Sequence, residues 1–267
     1  MTPAISFRNV YKCFMRGTPN QVKALNGVSL DIAQGQFVTV IGSNGAGKST
    51  MLKCLSGHVV PDEGSVVFEG RDITRLPIHK RAQAIGRIAQ DPHESTCAMM
   101  TIAENLAMAG RRGKGRWLNI AVTQARRASY RDLIAPIGLG LEGRLDARVG
   151  TLSGGQRQAL ALIMATLSGS RLLLLDEHLA ALDPKTAETV MELTARIVAE
   201  QNLTTFMITH NMAEAIRWGD RLLMMHRGQI VFDTTGAAKQ ALTVPDLIAK
   251  FREVSDREIV EDRALLA

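Results

Sequence analysis

Gly42-Ser43-Asn44-Gly45-Ala46-Gly47-Lys48-Ser49 follows the run Phe37-Val38-Thr39-Val40-Ile41 and precedes a helical stretch from about Ser49 to Leu55. The run is almost continuously apolar and rich in β-branched residues, as a strand buried on both faces requires. The octet fits G-x4-G-K-[ST] at every fixed position, and it lies between strand and helix, where that pattern works. Glycines let successive backbone N–H groups curl around phosphate oxygens, and the helix N-terminus adds the positive end of its dipole. In such a loop Lys48 reaches β- and γ-phosphates and the Ser49 hydroxyl ligates Mg2+. The stretch therefore predicts a nucleotide-binding α/β core.

Leu172-Leu173-Leu174-Leu175-Asp176-Glu177 supplies a second half. A buried strand that ends in an acid places Asp176 at the carboxyl edge of the sheet, where ligands of open α/β sheets bind. Asp176 is expected to organise Mg2+ through water, and Glu177 to orient or activate the attacking water. A third stretch, Leu152-Ser153-Gly154-Gly155-Gln156, precedes an apolar-periodic helix read from Arg157 to Leu167. Ser153 reads as its cap, with glycine N–H groups exposed behind it, which makes a second anion site. Capped helices of this kind are also common in proteins that bind no phosphate.

Outward from these motifs, the first third reads as strands: Ile5 to Tyr11, Val28 to Ile32, and Ser65 to Glu69 after the turn Pro61-Asp62-Glu63-Gly64. The middle is helical, with Ile102, Asn105, Leu106 and Ala109 at helical spacing and a second amphipathic stretch from Val122 to Ile137. The last third alternates again. A helix from Pro184 to Glu200 leads to a strand from Thr204 to Thr209, then a helix from Met212 to Trp218 and a hairpin turning at Arg227-Gly228. Strands alternating with helices imply a mostly parallel sheet covered on both faces. The expected fold is α/β: a P-loop NTPase core with a mostly parallel sheet, an N-terminal antiparallel β subdomain and an inserted α-helical subdomain.

With 267 residues, 46% of them hydrophobic, the chain can bury a core of ordinary size. Its formal charge of +6 suits an anionic partner such as a nucleotide or a phospholipid surface. Cys13, Cys54 and Cys97 are scattered, which argues for a reducing compartment and against a disulfide framework or a zinc site. The start lacks the pattern of a signal peptide, and no apolar run approaches the roughly 20 residues of a membrane span. A membrane role must then come through a partner.

The three motifs in combination, GSNGAGKST, LSGGQ and LLLLDE, resemble those of the ATP-binding cassette (ABC) ATPases. The resemblance covers roughly Ile5 to Asp233. It implies an ABC ATPase domain over 1–240, with a helical subdomain at about 91–169 inserted in a RecA-like core, and a C-terminal helical tail over 241–267. It implies ATP held by Gly42, Ser43, Asn44, Gly45, Ala46, Gly47, Lys48, Ser49 and Thr50, with Tyr11 stacked on adenine. Ser153, Gly154, Gly155 and Gln156 close over the ATP of a partner subunit, which Asp183 contacts. Glu177, His210, Gln90 and Lys48 carry hydrolysis, His210 as a γ-phosphate switch. Ser49, Gln90 and Asp176 serve Mg2+.

The resemblance further implies a head-to-tail homodimer or a pair with a paralogous ATPase. An integral membrane permease and an extracytoplasmic solute-binding protein are the other partners, at the cytoplasmic face of the inner membrane, with no nucleic acid. Where the family usually reads Asp-Glu-Pro-Thr-Ser, this chain has Asp176-Glu177-His178-Leu179-Ala180. That variation, with Lys23 to Val28 and Thr209 to Met212, is similar to ATPases of amino-acid-type (tryptophan/tyrosine) uptake systems. The alternative, a soluble ABC ATPase acting on nucleic acid or the ribosome, fits the basic charge. It usually comes with two cassettes or a long coiled coil, and this chain has one cassette and no sustained heptads. The basic segment Arg111 to Arg116 reads as a solvated loop or a contact with a membrane partner.

Overall fold

The computed structural model describes residues 2–113 and 121–265. Lys114, Gly115 and Arg116 of the basic segment lie outside the described residues. The chain forms two compact units, Met1–Arg75 with Phe206–Ala267, and Leu76–Thr205.

The first unit opens with β1 (Ile5–Phe14), β2 (Val22–Ile32), β3 (Phe37–Gly42), α1 (Lys48–Ser56), β4 (Glu63–Phe68) and β5 (Arg71–Asp72). β1, β2, β4 and β5 make an antiparallel sheet in the order β2-β1-β4-β5. Ile5, Phe7 and Val10 of β1 are fully buried, while Arg8 and Asn9 between them are exposed. The alternation breaks at Asn9, whose φ of 48° lies in the left-handed region, where the pairing of β1 with β2 shifts register. β1 and β2 are longer than their sequence pattern indicates: β1 past Tyr11 is only partly buried, and in β2 before Val28 only Ala24 and Leu25 are buried, which leaves no alternation to read.

The second unit contains α2 (Ile78–Arg81), β6 (Ile85–Ile88), α3 (Pro92–Ser95), α4 (Ile102–Ala109), α5 (Gln124–Ile134), α6 (Gly154–Thr166), β7 (Leu172–Asp176) and α7 (Pro184–Glu200). β6 runs parallel to β7, with Arg87 opposite Leu174 and Ile88 opposite Leu175. Its four residues carry no readable period, so the sequence did not announce it. Gly86 is required there because a Cβ would stand 2.5 Å from the Ala165 carbonyl oxygen of α6. α6 begins at Gly154 rather than Arg157, since both glycines adopt the first helical turn behind the Ser153 cap. α4 starts with a capping box between Thr101 and Glu104. Asn105, fully buried, ties the preceding loop: its Oδ1 accepts from Cys97 N, and its Nδ2 donates to the Cys97 and Thr101 carbonyls.

The chain crosses back through β8 (Thr204–Ile208) and completes the first unit with α8 (Met212–Arg217), β9 (Arg221–His226), β10 (Gln229–Thr235), α9 (Gly236–Gln240) and α10 (Val244–Leu265). β9 pairs parallel with β3 and antiparallel with β10. α8 and α10 cover this sheet: Ala215 and Leu247 bury against Ile41, Leu222 and Met224. Lys239 of α9 donates to the carbonyls of Ile216, Trp218 and Gly219, which satisfies orphan groups at the end of α8. No helix among the described residues is long and apolar enough to cross a membrane.

Candidate nucleotide-binding site

The phosphate loop is held by its own side chain and by the hairpin of β9 and β10. Lys48, 5% exposed, donates from Nζ to the carbonyls of Gly42 at 2.8 Å and Ser43 at 3.0 Å. The loop therefore wraps around its own ammonium. Gly228 N donates to the Ala46 carbonyl, and Gly228 O accepts from Asn26 N, both at 2.9 Å. Gly42 at φ 151° abuts the Met225 carbonyl, and Gly47 at φ 101° abuts the Ala24 carbonyl, so a side chain at either position would collide with backbone. Asn44 and Gly45 are exposed, and Ser49 and Thr50, in the first turn of α1, are half-buried.

Tyr11 on β1 is half-buried, and its hydroxyl lies over Gly27, where a Cβ would come within 3.0 Å. His210 is exposed at the end of β8, just before α8. Asn211 caps that helix by accepting from Ala213 N and Glu214 N, and Thr209 Oγ1 donates to Glu214 Oε2 at 2.9 Å. These bonds fix the backbone on both sides of His210.

In the second unit the strand pair β6 and β7 brings together the side chains of Arg87 and Asp176, and those of Gln90 and Glu177. Asp176, 7% exposed, ends β7, and Glu177 follows at φ 50°. A glutamate held in the left-handed region is strained, and such strain persists where surrounding contacts over-determine it. One of those contacts is Gln90, whose Nε2 donates to Glu177 Oε2 at 3.1 Å. The other pair was not read from the sequence: Arg87 Nη2 stands 3.8 Å from Asp176 Oδ2. A lone arginine in a short apolar run gives no signal, and only the pairing of β6 with β7 places it.

His178, the next residue, is 3% exposed, and its Nε2 has no hydrogen-bond partner. Burial pushes its pKa down to about 3, so the imidazole is neutral. Asp183 caps α7, accepting from Thr186 N at 3.1 Å. The hydrogen bonds from Thr186 hold its carboxyl below the usual range.

The LSGGQ stretch forms a reciprocal cap: Ser153 Oγ accepts from Gln156 N at 3.3 Å, and Gln156 Oε1 accepts from Ser153 N at 3.2 Å. Gln156 Nε2 donates to the Leu139 carbonyl, so this side chain is engaged within the chain. Ser153 and Gly154 are exposed, whereas Gly155 is buried against Thr186 of α7, where a Cβ would collide with the Thr186 methyl. Arg157 donates to the Gly150 carbonyl and stands 2.8 Å from His93 Nε2. The phosphate loop, Tyr11 and His210 belong to the first unit, and the acids, Gln90 and the capped α6 to the second.

A glycine loop wrapped on its lysine, an acid-ended strand and a capped α6 define an ATP-binding cassette. A family model described as "ABC transporter" matches residues 25–180, and the chain belongs to that family. The chain is 44% identical over 250 residues to the "Tyrosine transport ATP-binding protein" of Clostridioides difficile, covering 92% of this chain and 98% of that one. It is 34% identical over 240 residues to the "Phosphonates import ATP-binding protein" of Alcaligenes faecalis, covering 88% and 84%. A dimeric ATP-binding cassette, solved in a post-hydrolysis state with ADP and Pi, superposes with a TM-score of 0.73 at 26% identity, covering 86% of this chain and 98% of that one. The fold is thus the α/β cassette expected from the sequence, and the chain is an ATP-binding ATPase of this family.

Proposed function

We propose that the chain is the ATP-hydrolysing subunit of an importer for an amino acid of the tyrosine type. The observation that carries the reading is the 44% identity to a tyrosine transport ATP-binding protein across 98% of that protein's length. The first relative is named for transport and the second for import, which favours transport over a soluble role on nucleic acid or the ribosome.

In this reading Lys48 and the loop amides from Gly42 to Ser49 take the phosphates, and Tyr11 takes the adenine. The Ser49 hydroxyl, the Asp176 carboxylate and the Gln90 amide oxygen are hard oxygen donors, the kind Mg2+ takes. Mg2+, when bound, would neutralise charge on the phosphates. Glu177 holds and orients the attacking water, positioned by its bond from Gln90, and His210 meets the γ-phosphate. Two subunits pair head to tail, so that Ser153 and the glycine amides at the start of α6 stabilise phosphate charge from the partner's side. Asp183 contacts the opposite subunit. The mate is a second copy or a paralogue, and closure of the pair drives a separate membrane permease fed by a solute-binding protein. The subunit then works at the cytoplasmic face of the membrane.

Reconstitution with the permease in vesicles tests this reading. Tyrosine presented by the binding protein should raise ATP hydrolysis and accumulate inside. Hydrolysis indifferent to tyrosine and responsive to another solute would reassign the cargo.

A further inference from the structure

Lys239 of α9 is 2% exposed, yet its side chain ends in an ammonium. Its Nζ donates to the carbonyl oxygens of Ile216 at 2.7 Å, Trp218 at 2.7 Å and Gly219 at 2.9 Å. An ammonium has three donors and no acceptor, so these oxygens use it completely. Burial pushes the Lys239 pKa down, and the nearby Asp220 charge pushes it back up. Ile216, Trp218, Gly219 and Lys239 all belong to the first unit.

The cage is more than a helix stop. The last carbonyls of a helix ordinarily meet backbone N–H groups or water. Here α8 ends at Arg217, and the carbonyls of Trp218 and Gly219, beyond that end, join the Ile216 carbonyl at one cation. Convergent backbone carbonyls are the ligands that replace the hydration shell of potassium in ion-selective sites. Potassium and ammonium ions are nearly the same size, so oxygens spaced for one suit the other. The turn also bears on the phosphate loop. Asp220 N donates to Phe37 O at 2.7 Å, and Asp220 Oδ2 accepts from Phe37 N at 2.9 Å. Phe37 opens β3, whose far end is Gly42.

We propose that the carbonyls of Ile216, Trp218 and Gly219 form a monovalent-cation site in which Lys239 is the tethered resident cation. The lysine makes the turn between α8 and β9, and with it the start of β3, independent of dissolved potassium or ammonium. Without the tether, the same oxygens take an ion of that size from solution.

The test is the melting temperature of full-length Lys239→Ala in potassium, ammonium, sodium and choline chloride at equal ionic strength. Truncation empties the space of the stem and leaves the three oxygens in place. Potassium and ammonium should restore at least half of the melting temperature lost in choline, and the recovery should saturate with concentration. Sodium, a smaller ion, should restore less, and the parent gives the baseline in each salt. Lys239→Ser adds a hydroxyl oxygen to the emptied space and should respond at lower potassium. Lys239→Met fills the space with apolar atoms and should not respond. If the alanine and serine variants melt alike in all four salts, or stay unfolded in every one, Lys239 only stitches α9 to the turn and the inference is overturned.

Discussion

Gln90 Nε2 donates a hydrogen bond of 3.1 Å to Glu177 Oε2, although 87 positions separate the two residues in the chain. The bond joins the segment after β6 to the end of β7. It gives the strained Glu177 backbone, at φ 50°, a fixed side-chain orientation as well. An amide that donates to a carboxylate leaves its own carbonyl oxygen available, so Gln90 can hold Glu177 and still offer an oxygen to a cation.

Glu177→Gln keeps an oxygen acceptor for Gln90 and removes the base. Turnover should fall about a hundredfold to ten-thousandfold while ATP binding persists. Light scattering of this variant should show a monomer without nucleotide and a dimer with Mg-ATP. A variant that hydrolyses ATP at the parent rate would overturn the role of Glu177.

Gln90→Ala removes the donor and leaves Glu177 in place. Hydrolysis should drop about tenfold to a hundredfold, mostly in kcat, because an orientation is lost rather than a phosphate contact. Gln90→Glu should fare no better, since two carboxylates would then face each other. Equal losses in ADP affinity and kcat would argue against this account.

Gly155→Ala places a methyl against the Thr186 methyl, and overpacking of this kind costs about 1–3 kcal/mol. Thr186→Ser removes the colliding atom, after which the next Thr186 atom is 3.6 Å away. The double variant should therefore recover most of the melting temperature lost by Gly155→Ala. No recovery would mean that the glycine is needed for its backbone rather than for this contact.

His178 links stability to acid. Its pKa is pushed down to about 3 in the folded chain, below the ordinary value of 6.5, so the unfolded chain takes up the proton first. The stability present above pH 6.5 is lost as the pH falls toward 3. At pH 5 the loss from this group should reach about 2 kcal/mol. Urea midpoints of the parent and of His178→Leu, compared at pH 7.5 and 5.0, isolate it; equal slopes would show that His178 is reached by solvent.

Much of the cassette is legible locally. The loop from Gly42 to Ser49 declares itself because glycine conformation, helix start and lysine reach are properties of neighbouring residues. Ser153 is legible as a cap for the same reason, and the apolar run before Asp176 reads as a buried strand, whereas the caps at Asp183 and Asn211 came from the structure. β6 was not legible, because four residues with a central Gly86 and Arg87 have no period to read.

The sequence by itself determined the class of the protein, the strand–loop–helix of β3 and α1, and the apolar strand that ends in Asp176. Those features depend on backbone chemistry within a few residues. Only the tertiary structure decided that Gln90 holds Glu177, that Arg87 stands against Asp176, that Gln156 is engaged with the Leu139 carbonyl, and that His178 is kept from water. Each of these depends on which strand pairs with which and on what packs above it. Charge and hydrogen bonding act over a few ångströms of space, whatever the distance along the chain.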